Sequence, residues 1–279
     1  MDFEEHLEMA RDPNNIPGIY NYCDSWCERC LFTSRCLNYK TRARFEKERE
    51  REQREEENKV FWDQVNQAIE DVKDVLEEKQ ETETNIDITG FDDEDNGDIG
   101  EGLDEFEKHR QKAREQPISK AAKRYMNTAM QFFKEKEGML GQFITEGDGV
   151  MKDTETGITD EITLQRISIA VQVAFYYHFQ IWVKVNRALT SSYDDFENDE
   201  ENADLLKDSD GSAKVALLGI DQSIVAWKTL YKYLREDKGT IAGIISLLKQ
   251  LQNGIERVFP NARNFIRPGF DDYTNLIPK

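Results

Sequence analysis

All four cysteines of the chain fall within fourteen residues, CDSWCERCLFTSRC, at Cys23, Cys27, Cys30 and Cys36. The spacing is C-x3-C-x2-C-x5-C, four thiols confined to one short stretch. Pro13, Pro17 and Gly18 precede it and signal an irregular loop rather than a helix. Isolated core thiols have no reason to cluster. Three uses remain for a group this dense: disulfides, a structural zinc site, or an iron–sulfur cluster.

Disulfide frameworks suit small secreted domains. The N-terminal residues MDFEEHLEMARDP are acidic, with neither a positive leader nor an apolar core, so no secretory signal is expected. A cytoplasmic, reducing location is therefore expected, and with it a metal. Zinc ribbons pair two C-x2-C knuckles, whereas only Cys27 and Cys30 form one here. Cys23, Cys27 and Cys30 give C-x3-C-x2-C, which resembles the cluster-binding loop of radical-SAM enzymes. Those enzymes carry the loop on a barrel of strands and helices and leave one iron open; here no strand pattern follows, and Cys36 supplies a fourth thiolate. Cys27, Cys30 and Cys36 give C-x2-C-x5-C, which looks like the iron–sulfur staple of RecB-like exonucleases over ten residues. The carboxylate–lysine signature of those nucleases is absent, so no nuclease activity is implied.

The expectation is a [4Fe–4S] cluster on Cys23, Cys27, Cys30 and Cys36, with Zn2+ as the alternative. Tyr20, Tyr22, Trp26 and Phe32 interleave the ligands. They would either shield the sulfurs from water or pack the loop onto the rest of the protein. Arg29 and Arg35 are placed to offset thiolate charge.

Lys and Arg total 37 against 56 Asp and Glu, a formal charge of −19. Such an excess opposes binding to phosphate backbones and anionic lipid. The segment from Lys40 to Arg54 alternates cations with Glu and reads as a solvated helix. A protein partner is expected, with no nucleic acid and no membrane.

The fold class expected is all-α: a helical bundle bearing an irregular four-cysteine loop and a long charged helix. Residues 1–38 form the metal-binding region, including a short helix over 2–11. Residues 39–80 form the long helix, charged at first and then apolar at Phe61, Val65, Ala68, Val72 and Val75, a single stripe. Residues 81–104 form an acidic linker. It brushes an EF-hand pattern from Asp92, but Leu103 occupies the position of the bidentate Glu. Residues 105–279 form the bundle.

Within the bundle, helices are expected over 104–116, from Pro117 to about Thr145, from Asp160 to about Leu189, from about Ser212 to Leu234, and from about Thr240 to Val258. Pro117 suits a first helical position, and Ser209 or Asp210 an N-cap. Ile167 to Val183 are seventeen residues without Asp, Glu, Lys or Arg. A polar stripe through Gln172, Tyr176, Gln180 and Lys184 argues for a central bundle helix rather than a membrane span. A Pro-Gly turn in the tail is expected to dock Phe265 and Phe270.

His178 and Asp221 interrupt apolar faces, and Lys214 lies two turns before Asp221. Together with Arg187 they make a candidate catalytic or ligand-binding pocket inside the bundle. The competing reading is structural pairing between helices. No His has a Glu three residues before it, which excludes the di-iron bundle motif. Phosphate-loop, nucleophile-elbow and His-Glu-x-x-His motifs are also absent. Three functions remain: a structural or interaction metalloprotein, a redox module, or a small-molecule enzyme or binder.

Overall fold

The computed structural model describes residues 3–43, 56–65, 67, 105–145, 160–193 and 208–271. Every regular element among them is helical, and none is a strand. The all-α reading is therefore correct. The chain divides into two compact units: Met1–Asp71 with Ile266–Lys279, and Val72–Phe265.

The first unit begins with α1 (Phe3–Ala10). Three single-turn 3-10 segments follow, Ile19–Tyr22, Cys27–Arg29 and Thr33–Arg35, and lead into α2 (Leu37–Arg42). Ala43 leaves helical geometry, with φ −94° and ψ 30°. The next described residues, 56–65, form α3. Of its expected stripe, Phe61 and Val65 are buried; Ala68, Val72 and Val75 lie outside the described residues, as do the acidic linker and its EF-hand-like stretch.

Helices this short are marginal alone, so side-chain ties fix them. Lys40 of α2 reaches back to Asp12 at 2.6 Å and to the side-chain oxygen of Asn15 at 2.9 Å. Asn15 in turn donates to the Met9 carbonyl at 2.7 Å. The Ile16 amide donates to the Arg35 carbonyl at 3.0 Å, and Arg35 Nε to the Asn14 carbonyl at 3.1 Å. The loop thus closes on itself with Ile16 and Ile19 buried beneath it.

The second unit contains α4 (Glu105–Glu115), α5 (Pro117–Glu135), α6 (Glu137–Thr145), α7 (Glu161–Ser191), α8 (Asp208–Tyr233) and α9 (Lys238–Val258). Pro117 stands at the start of α5 as expected, and Asp160 caps α7 by accepting from the Thr163 amide at 3.1 Å. The expected helix over 117–145 is two helices, because the chain turns at Lys136, whose Nζ pairs with Asp237 at 2.8 Å. Helix α8 starts at Asp208, ahead of both expected caps. Arg187 and Ser191 of α7 hold the Asp208 carboxylate, each at 2.7 Å, and anchor that extra turn.

Helices α7 and α8 make the most extensive contact in the unit. A small-residue line on α8 allows it: a Cβ added at Gly219 would lie 3.0 Å from Tyr177 and 3.3 Å from Ile181. Trp227 is fully buried and donates to the Tyr125 hydroxyl at 3.1 Å. Ala121, Tyr125, Ala129, Phe132 and Phe133 of α5 and Leu140 and Phe143 of α6 are buried. No helix among the described residues is long and apolar enough to cross a membrane.

Candidate metal centre

The cysteine segment is a chain of tight turns, and a cysteine sits at each joint. Cys23 ends the first 3-10 turn, Cys27 begins the second, Cys30 ends it, and Cys36 ends the third while starting α2. Between Cys23 and Cys27 the backbone reverses at Ser25, which adopts φ +66°, a left-handed conformation uncommon for a residue with a Cβ. Asp24 supports the reversal by accepting from the Trp26 amide at 3.1 Å.

This path brings all four cysteines to one small cavity of about 20 Å3, room for slightly more than a water. Its other walls include Ile19, Trp26, Phe32, Tyr39 and Phe270. None of the four thiols is in a disulfide. Cys30 Sγ accepts from the Phe32 amide at 3.4 Å, and the Cys23 thiol donates to the Tyr20 carbonyl at 3.4 Å. Among the described residues no group of three or more His, Cys, Asp or Glu side chains is placed to hold a metal ion. The thiols share the cavity without converging on one point.

Burial dominates their electrostatics. It pushes the Cys30 thiol up to about 12, and Asp24, Cys23 and Cys27 add to that effect. The Cys27 thiol is also raised, first by burial and then by Cys23 and Glu28. Arg42 opposes this at Cys27. Arg29 instead lies over the Phe61 ring at 4.2 Å, and Arg35 bonds the Asn14 carbonyl. The cation that acts on Cys27 is thus carried by α2.

An aromatic cluster closes one side of the segment. Trp26 meets Phe61 at 5.8 Å and Trp62 at 5.9 Å, both edge-on, and Trp62 Nε1 donates to the Arg29 carbonyl at 2.6 Å. The tail closes another side, where Phe270 packs edge-on against Phe32 at 5.1 Å. Phe270, Tyr39 and Trp62 were not among the expected site residues. The Pro268–Gly269 pair signals the tail turn in the sequence, but nothing there says that it meets a loop some 240 residues upstream.

Each residue of the second candidate pocket has a partner outside that set. Asp221 is about 39% exposed and pairs with Arg263 through both oxygens, at 2.5 and 3.2 Å, while accepting from Gln252 at 2.6 Å. Arg263 also holds Glu256 at 2.8 Å. His178 bonds through Nδ1 to the Phe175 carbonyl of its own helix. Lys214 donates to the Phe265 carbonyl, and Arg187 pairs with Asp208. No hydrogen bond or ion pair joins His178 to Asp221. Each group thus has a hydrogen-bond or ion-pair partner.

No known protein family, curated protein or solved structure matches this chain.

Proposed function

We propose that Cys23, Cys27, Cys30 and Cys36 hold one thiolate-bound metal centre, a [4Fe–4S] cluster, which staples the first unit and lets it display a surface to a protein partner. The observation that carries this reading is the single cavity that all four cysteines line. Its walls of Ile19, Trp26, Phe32, Tyr39 and Phe270 would limit water at the sulfurs of a bound centre, which tunes its potential. The amide on Cys30 Sγ is the kind of hydrogen bond that tunes bound thiolates.

The staple role follows from the size of the core. In the described part of this unit the buried apolar side chains are Ile16, Ile19, Trp26, Tyr39, Phe61 and Val65. Six side chains make a small core, and a bound metal would add folding free energy to it. Binding would tie the four thiols to one centre and so couple folding to the metal. Tyr20, Leu31 and Ile266 are exposed apolar residues of the same unit and supply the partner-facing surface.

A second reading, Zn2+, is favoured by the Cys27–Cys30 turn, where the Cys30 amide bonds the Cys27 carbonyl at 3.3 Å in a knuckle-like C-x2-C arrangement. Anaerobic purification with iron, sulfide and zinc analysis separates the two. Iron with sulfide and a broad band near about 400 nm supports the cluster. One zinc and no colour supports the second reading. Protein with neither metal, whose four thiols alkylate freely in the native fold, overturns both. Cys30→Ser separates the roles: loss of the first unit's fold marks a staple, whereas an intact fold without redox response marks a redox centre.

A further inference from the structure

The first unit has a second cavity, of about 200 Å3, and Cys30 lines both it and the sulfur cavity. We propose that this second cavity is a binding site for a small, uncharged aromatic molecule of one ring or two fused rings. The size follows from the space, since an apolar cavity of about 150 Å3 already admits benzene. The aromatic character follows from the walls. Four of their side chains are rings, held as two edge-on pairs: Trp26 with Trp62 at 5.9 Å, and Phe32 with Phe270 at 5.1 Å. Leu31 adds an aliphatic side. Ring pairs gain more than the area they bury, which favours a flat aromatic body over a saturated one of equal size.

That the ligand is uncharged follows from the polar side chains of the wall, which already have partners. Trp62 Nε1 donates to the Arg29 carbonyl at 2.6 Å, so that indole offers its ring and not its N–H. Asp24 accepts from the Trp26 amide at 3.1 Å, and Cys30 Sγ from the Phe32 amide at 3.4 Å. Arg267 is closed into a pair with Asp271, at 3.0 and 3.1 Å. The Arg29 guanidinium lies 4.2 Å from the centre of the Phe61 ring, which is not part of this wall, and Arg29 has further partners. A charged ligand would leave its water behind and could gain a side-chain partner only by breaking one of these bonds. The wall also carries both signs, Asp24 against Arg29 and Arg267, so either ionic form meets a like charge. A neutral ring makes no such demand.

The site stands on its own walls and does not require the metal centre. The test uses the full chain as purified, with its metal content measured. Neutral indole, 1-methylindole, anionic indole-3-carboxylate and cationic tryptamine are titrated by calorimetry. Indole is expected to bind saturably, and the anion and the cation at least about tenfold more weakly. Methylation of the indole nitrogen should change the affinity by less than about threefold, because no hydrogen bond is asked of it. Phenol should bind more tightly than cyclohexanol, which has the same hydroxyl on a saturated ring. Leu31→Trp, at a part-exposed position on the cavity wall, should block every probe. Indole should also shift the methyl resonances of Leu31 in the unsubstituted chain, a reading that does not depend on a variant folding. No saturable indole binding up to about 1 mM overturns the proposal. So does a charged derivative that binds as tightly as indole, cyclohexanol that matches phenol, or indole binding that leaves the Leu31 methyls unmoved. Metal analysis tests the centre and indole binding tests this cavity, so either can fail without the other.

Discussion

Gly269 lies so close to Ile16 that a Cβ built on it would sit 2.9 Å from Ile16 Cγ2 and 3.1 Å from Ile19 Cδ1. The contact joins the tail to the residues that lead into the cysteine segment, and Phe270 continues it onto Phe32. Gly269 also has φ +79°, in a turn closed by the Phe270 amide on the Arg267 carbonyl at 3.2 Å. Pro before a positive-φ Gly is the sequence of such a turn.

Gly269→Ala should therefore destabilise the first unit by about 1–3 kcal/mol, from backbone strain and from the clash with buried Ile16. Chemical denaturation followed by the fluorescence of Trp26 and Trp62 reads this directly. A variant as stable as the parent would mean that the tail does not dock there.

Trp62→Phe keeps a ring against Trp26 but removes the donor to the Arg29 carbonyl. A cost of about 1–2 kcal/mol is expected, since that carbonyl loses its partner beside the second cysteine turn. The same variant should release the metal of the proposed centre faster to a chelator, and the release rate provides a second measurement.

In the second unit, Gly219→Val should cost about 1–3 kcal/mol, because Tyr177 and Ile181 occupy the space a side chain would need. Asp221→Asn should cost less, within about 1 kcal/mol, since the Asp221–Arg263 pair is more than a third exposed on both sides. Melting of the two variants in parallel checks the order. A larger loss for Asp221→Asn would mean that its network with Gln252 and Arg263 matters more than helix apposition.

Burial lowers the pKa of His178 below the usual imidazole value of about 6.5. The unfolded chain consequently takes up this proton first as pH falls. The stabilising contribution is complete above about pH 6.5 and declines as the pH drops towards the folded-state value. His178→Gln should flatten the stability profile between about pH 7 and 5 relative to the parent. Identical slopes in both proteins would show that the imidazole titrates as it does in water.

The helical class was legible because it is written in local periodicity. The apolar steps through Ala121, Tyr125, Ala129, Phe132 and Phe133 place those side chains on one helix face, and all are buried. Pro117 and Asp160 marked helix starts for reasons that belong to a single turn of backbone. Lys136 and Asp208 were missed because their partners, Asp237 and Arg187, are distant in sequence. Asp221 and His178 looked alike as polar residues on apolar helix faces. Asp221 pairs with Arg263, 42 residues further on, which the pattern of its own helix does not reveal.

What the sequence determined by itself was the helical body and the confinement of every thiol to one turn-rich segment, because periodicity, capping and covalent spacing act over a few residues. Tertiary structure alone decided which walls surround those thiols. Phe270, Tyr39 and Trp62 reach the segment from the tail, α2 and α3, and contacts between residues far apart in the chain are fixed by packing rather than by local preference.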